Sequence, residues 1–185
     1  TLYSLVGLVV GLACVFIISA WAVQELRFDR FHKQADHIYM VTTDIKDNTG
    51  NVSRFPETPP PLAEALEDQI PQIESGFHFL YLYGGRSIGT ESVQFKEAGI
   101  AATPAFLEVF NFKLQSGMAS ELDEPNSVFL SESLAEKIYP EGKALRKELI
   151  YRDSILLTVK GIFKDVPRNS SLQFDFLISY EMPPL

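Results

Sequence analysis

The chain has 185 residues, a formal net charge of −8, 46% hydrophobic residues and one cysteine. Its acidity argues against nucleic acid and against lying on an anionic lipid surface, since both need clustered Lys and Arg. Cys14 alone excludes a disulfide framework, and the roughly 160 residues beyond the first apolar run are enough to bury a core.

Leu2 to Val23 contains no charged side chain, and Glu25 is the first acid. At about 1.5 Å per residue this run covers roughly 33 Å of helix, the thickness of a bilayer's apolar layer, so residues 1–24 are read as a transmembrane helix in contact with membrane lipid. Ser4, Gly7, Gly11 and Cys14 fall on one stripe, where small side chains let a second helix approach closely. The competing reading is a cleaved signal peptide, since Ala20-Trp21-Ala22 fits the small-x-small pattern; the run is longer than a usual signal core. Arg27, Arg30 and Lys33 are interspersed with Glu25, Asp29 and Asp36, so charge alone leaves the orientation open.

Residues 25–40 are expected to continue the helix as an amphipathic stalk, with Phe28, Phe31, Ala35 and Ile38 on one face and Asp29, His32 and Asp36 on a solvated one. Tyr39 to Asp44 reads as a strand and Lys46 to Gly50 as a turn. Thr58-Pro59-Pro60-Pro61 announces a short helix that Pro71 stops. Phe77 to Tyr83 reads as a strand, Gly84-Gly85 as a hairpin turn into Arg86 to Ile88, and Val93 to Ala101 as a further strand.

Thr103-Pro104 starts a second short helix carrying Phe106, Val109 and Phe110. Val128 to Leu130 reads as a buried strand, and a helix begins at Ser131 or Ser133 and runs to about Ile138, Ser133 and Glu136 having the spacing of a capping box. Glu148 to Tyr151 and Ile155 to Phe163 flank Arg152-Asp153-Ser154 as a hairpin, and Phe174 to Tyr180 supplies a last strand. This mixture is an α+β domain. The abrupt end at Met182-Pro183-Pro184-Leu185 is read as that of a fragment.

The search for chemistry finds no catalytic residues. His32 and His37 stand five apart and His78 is remote, which disfavours a metal site; no Gly-x-Ser-x-Gly elbow or phosphate loop occurs, and no cofactor motif is found. The aromatic concentrations at Phe77 to Tyr83, Phe106 to Phe112 and Phe174 to Tyr180 read as core, with an apolar cleft as the alternative.

Four stretches in order carry a resemblance: Glu25-Leu26-Arg27-Phe28-Asp29-Arg30-Phe31-His32 onward to Val41; Thr58-Pro59-Pro60-Pro61-Leu62-Ala63; Asn126 to Ala135; and Val159-Lys160-Gly161-Ile162-Phe163-Lys164-Asp165-Val166-Pro167 with Asn169-Ser170 and Phe174-Asp175-Phe176. The sequence resembles the FtsX-like ABC transporter permeases with a MacB-like periplasmic core domain, departing from them in the compressed turn Tyr139 to Leu145. The resemblance implies a non-enzymatic permease subunit of the inner membrane, with the residues after about 25 outside the cytoplasm. It also implies a partner ABC ATPase subunit, a second permease copy or homologue, and a core domain over 41–185 with an inserted subdomain at about 84–158. A membrane-anchored ligand sensor is the reading from another class.

Overall fold

The computed structural model describes residues 2–26, 28–30, 32 and 35–181. Helix α1, Leu2–Leu26, has no residue buried against the rest of the protein, and it is long and apolar enough to cross a bilayer. The expected stalk over 25–40 does not continue it. Among the described residues, Phe28 to Arg30 form a turn, Asp29 has a left-handed φ of 55°, and only a 3-10 turn at Ala35–His37 follows. A non-glycine residue at that φ cannot propagate a right-handed helix. Phe31 lies outside the described residues, so of the proposed stalk face only Phe28 and Ala35, both exposed, and half-buried Ile38 are placed, and among the described residues no α-helix joins them.

Strands β1 (Thr43–Lys46) and β2 (Val52–Phe55) pair antiparallel as an exposed hairpin. The strand expected at Tyr39 to Asp44 thus starts four residues later, because Asp47 organises the turn: its carboxylate accepts from the amides of Thr49 and Asn51 at 2.8 and 2.9 Å. Helix α2 (Leu62–Gln69) follows the proline run as expected.

The remaining strands are β3 (Phe79–Gly89), β4 (Gln94–Ala102), β5 (Leu114–Ser116), β6 (Ser127–Ser131), β7 (Glu148–Tyr151), β8 (Ile155–Phe163) and β9 (Phe176–Ser179). They form one sheet in the order β5-β8-β6-β9-β4-β3-β7, and β7 also pairs with β8. That last pairing closes six strands into a ring, with β5 attached to the far end of β8. Closure removes the free edges that an open sheet would carry.

Alternation along the strands sorts side chains into two cores. Leu82, Ile88, Ala101, Val128, Leu130, Leu149, Tyr151, Leu157, Val159, Phe176 and Ile178 draw on all six ring strands and form one cluster, into which helix α4 (Glu132–Ile138) packs Leu134, Ala135 and Ile138. The alternate residues Ile100, Ala102, Phe129 and Leu177 join Phe106 and Leu107 of helix α3 (Pro104–Val109) in the second. An irregularity where Val128 pairs Val159 but Phe129 pairs Gly161 shifts the alternation of β8, and Phe163 therefore joins the second core. Gly99 is needed beside the first, since a Cβ there would stand 2.2 Å from the Phe176 ring.

Gly84-Gly85 is not a hairpin turn. Strand β3 runs through it, and between the pairs Leu82–Gly99 and Arg86–Glu97 three residues of β3 face one of β4. Both glycines have positive φ, 82° and 66°, which a bulge tolerates and which leaves the strand its direction. At α4 the N-cap is Ser131, whose hydroxyl accepts from the Leu134 amide at 3.2 Å. Ser133 does not form the expected box with Glu136; its amide and hydroxyl both donate to Asp165.

Candidate functional site

The segment that leaves α1 is fastened to the domain at two points. At the first, the Asp29 amide donates to the Asn169 carbonyl at 2.9 Å. The Asp29 carboxylate accepts from the Ser171 amide at 2.8 Å through one oxygen and from the Ser171 hydroxyl through the other. The left-handed φ of Asp29, three residues past α1, turns this side chain toward the 167–173 turn, and aspartate is among the few residues that adopt it at low cost.

That receiving turn is itself braced. Ser170 donates its amide to the Pro167 carbonyl at 3.0 Å, and the Gln173 amide nitrogen donates to the carbonyls of Pro167 and Ser170 at 2.8 and 2.9 Å. Partial burial pushes the Asp29 carboxyl up, but the Ser171 hydroxyl and amide, Ser170 and the positive field of His32 outweigh it, leaving the group below its ordinary 3.8. The contact is therefore a charge-assisted clasp, stronger than a neutral pair of the same geometry.

His32 makes the second point. It is 6% exposed, and Nδ1 lies 2.6 Å from the Phe110 carbonyl. A carbonyl only accepts, so Nδ1 carries the proton and donates. Its ring meets Phe110 and Phe112 edge to face, with centroids at 5.1 and 5.7 Å. Those two phenylalanines pack with Phe106 and Phe174, so the junction is anchored on the second core. The expected solvated face of Asp29, His32 and Asp36 is thus divided: His32 is buried, Asp29 is clasped and Asp36 is exposed.

Residues from all three aromatic concentrations meet in core, whereas Tyr83 is exposed and Phe176 belongs to the first cluster. Phe77, Phe79, Phe106, Phe110, Phe112 and Phe174 share the second cluster. Ser4, Gly7, Gly11 and Cys14 are all exposed on α1, and nothing lies within 4 Å of a Cβ built on either glycine, which leaves the stripe open to a close neighbour. Among the described residues no group of three or more His, Cys, Asp or Glu side chains converges on a metal-sized site.

The sequence matches the model of the MacB-like periplasmic core domain over residues 1–182. The chain belongs to that family. A permease-protein domain from Porphyromonas gingivalis is 30% identical with a TM-score of 0.63, over 70% of this chain and 56% of its own. The extracellular domain of the noncanonic ABC-type transporter YknZ from Gram-positive bacteria shares the fold, at 10% identity and a TM-score of 0.51, over 64% and 60%. The periplasmic region of MacB from Actinobacillus actinomycetemcomitans gives 17% and 0.49, over 64% and 53%. This chain therefore spans little more than half of each solved domain. Curated proteins give no match.

Within this MacB-like core domain, sequence reasoning grouped Asp29 with the stalk and did not connect it with Ser171. The partners stand 142 positions apart, and no local pattern reports such a pairing. The available signal was that Asp29 and the Asn169-Ser170 pair both lie in stretches that carry the family resemblance.

Proposed function

We propose that the protein is a non-catalytic permease subunit of an ABC transporter, in which the Asp29–Ser171 clasp and the His32 anchor pass movement of α1 to the extracytoplasmic domain. The clasp carries this reading. Three residues beyond the end of a membrane-spanning helix, the chain is tied through backbone and side chain to a turn 142 residues away, so displacement of α1 pulls directly on the 167–173 turn and on the aromatic core beneath His32. Family membership supports the transporter role, and the open Ser4, Gly7, Gly11, Cys14 stripe supports packing against another transmembrane helix of the assembly.

A separate ABC ATPase chain would supply the energy, and a second permease copy or homologue would complete the assembly in the inner membrane.

The test is substrate export or release by the intact membrane assembly carrying Asp29→Asn, Ser171→Ala or both. Asn keeps the size and removes the charge. Coupled activity should fall in each single variant with little further loss in the double, while the ATPase subunit continues to bind. Full activity in the double variant would overturn transmission through the clasp.

A further inference from the structure

Tyr81 stands at the edge of the second core, half-buried on β3 opposite Ile100 of β4. Its ring meets Phe79 edge to face and Tyr83 at a tilt, with centroids at 5.8 and 5.7 Å. Those contacts hold an apolar body that carries a polar tip. The tip reaches the turn that receives the clasp, where Oη donates to the Ser171 carbonyl at 3.5 Å.

Ser171 is thereby held from two sides. Its amide and hydroxyl donate to Asp29, and its carbonyl accepts from Tyr81. The Gln173 main chain adds a hydrogen bond that favours the ionised phenol, which only an N–H can do, so Oη accepts from Gln173 as it donates to Ser171. Burial nonetheless raises the phenol, and the fields of Tyr83 and Asp29 raise it further, so Asp29 and Tyr81 sense each other across the turn.

Topology gives this contact a mechanical meaning. The 167–173 turn leads into β9, which lies on one side of β4, while Tyr81 belongs to β3, which lies on the other. The turn is therefore joined to the ring by its own backbone at β9 and by one phenol at β3. Only the phenol can be removed without cutting the chain.

We propose that Tyr81 is a positioning residue for the clasp, holding Ser171 in the geometry that receives Asp29 and joining the turn to β3 as well as to β9. Its consequence rests on the transmission reading: a pull arriving at Asp29 enters the ring on both sides of β4, whereas without the phenol it enters through β9 alone.

The experiment compares Tyr81→Phe, which keeps the ring and loses Oη, with Tyr83→Phe, which removes the hydroxyl of the neighbouring, exposed ring. In the full chain in neutral detergent, Tyr81→Phe should raise the hydrogen-exchange rates of the Gln173 amide, which loses an acceptor, and of the Ser171 amide, which bonds to Asp29, by about threefold or more. Tyr83→Phe should raise neither. Asp29→Asn should lower the pH at which the Tyr81 phenol ionises, followed at the 13Cζ resonance that Tyr81→Phe removes, because the negative field opposing ionisation is gone. In the intact assembly Tyr81→Phe should reduce export, with little further loss when combined with Asp29→Asn. An unchanged Ser171 amide in Tyr81→Phe, or an equal rise in Tyr83→Phe, overturns the inference. Full export by Tyr81→Phe beside impaired export by Asp29→Asn also overturns it and leaves the clasp reading in place. The expected exchange pattern together with full export by the Asp29→Asn, Ser171→Ala double variant supports the positioning role and overturns transmission through the clasp.

Discussion

Helix α1 and strand β6 are both rich in apolar residues, yet none of α1 is buried against the rest of the protein while all five residues of β6 are. The difference lies in what each must satisfy. In β6 the two serines find partners inside the domain, Ser127 donating to the Leu122 carbonyl at 2.7 Å and Ser131 capping α4. In α1 the backbone satisfies itself over 25 residues and the side chains need only an apolar surrounding, which a bilayer supplies. Hydrophobicity alone does not separate the two cases; length does.

Substitutions can sharpen this contrast. The largest effect is expected at Phe129→Ala, where removing a fully buried ring from β6 should cost the domain about 3–5 kcal/mol in chemical denaturation and leave membrane insertion unchanged. Leu12→Arg in α1 should do the reverse, weakening insertion by about 3–4 kcal/mol in a translocation assay while the domain's denaturation midpoint stays put. Were Leu12→Arg to destabilise the domain comparably, α1 would have to be packed on protein after all.

Between the two regions lies the clasp. Asp29→Asn should cost about 1 kcal/mol, the scale of a partly solvated charge-assisted bond, and should raise the hydrogen-exchange rate of the Ser171 amide. Its pH dependence has a definite sign. Because the folded carboxyl titrates below its ordinary 3.8, the contribution is present above that value and is lost as pH falls through the depressed one, so protection of the Ser171 amide should decline only in strong acid. The smallest effect belongs to the exposed hairpin: Arg54→Ala removes the 2.8 Å pair with Asp44 and should leave the denaturation midpoint within experimental scatter.

Much of this was legible in the residues. The span, the proline-led helices at Leu62 and Pro104, the helix after Ser131 and the hairpin at Arg152 to Ser154 all rest on local chemistry, and local chemistry decides them. The misses arise where tertiary contact overrides pattern. Helical spacing from Phe28 to Ile38 is genuine, but the bonds of Asp29 to Asn169 and Ser171 favour a turn. A double glycine reads as a turn, yet β4 offers β3 a partner on both sides of it and the chain bulges instead. Strand β5 has three residues and exists only because β8 extends past β7 to receive it, which no window of sequence reveals. The clasp itself was invisible for the same reason, since each half is an ordinary polar residue until the fold brings them together.

The position of β9 has a consequence for biogenesis. It inserts between β4 and β6, parallel to the one and antiparallel to the other, and no ring exists until residues 176–179 arrive. A chain emerging from a translocon in N-to-C order therefore delivers β3 through β8 before the strand that joins them. Their hydrophobic faces must wait, and the long sequence separation makes closure of the ring slow. Closure of this ring is thus timed by the arrival of β9, and the interval before it docks is when holdase chaperones outside the membrane have the most to protect.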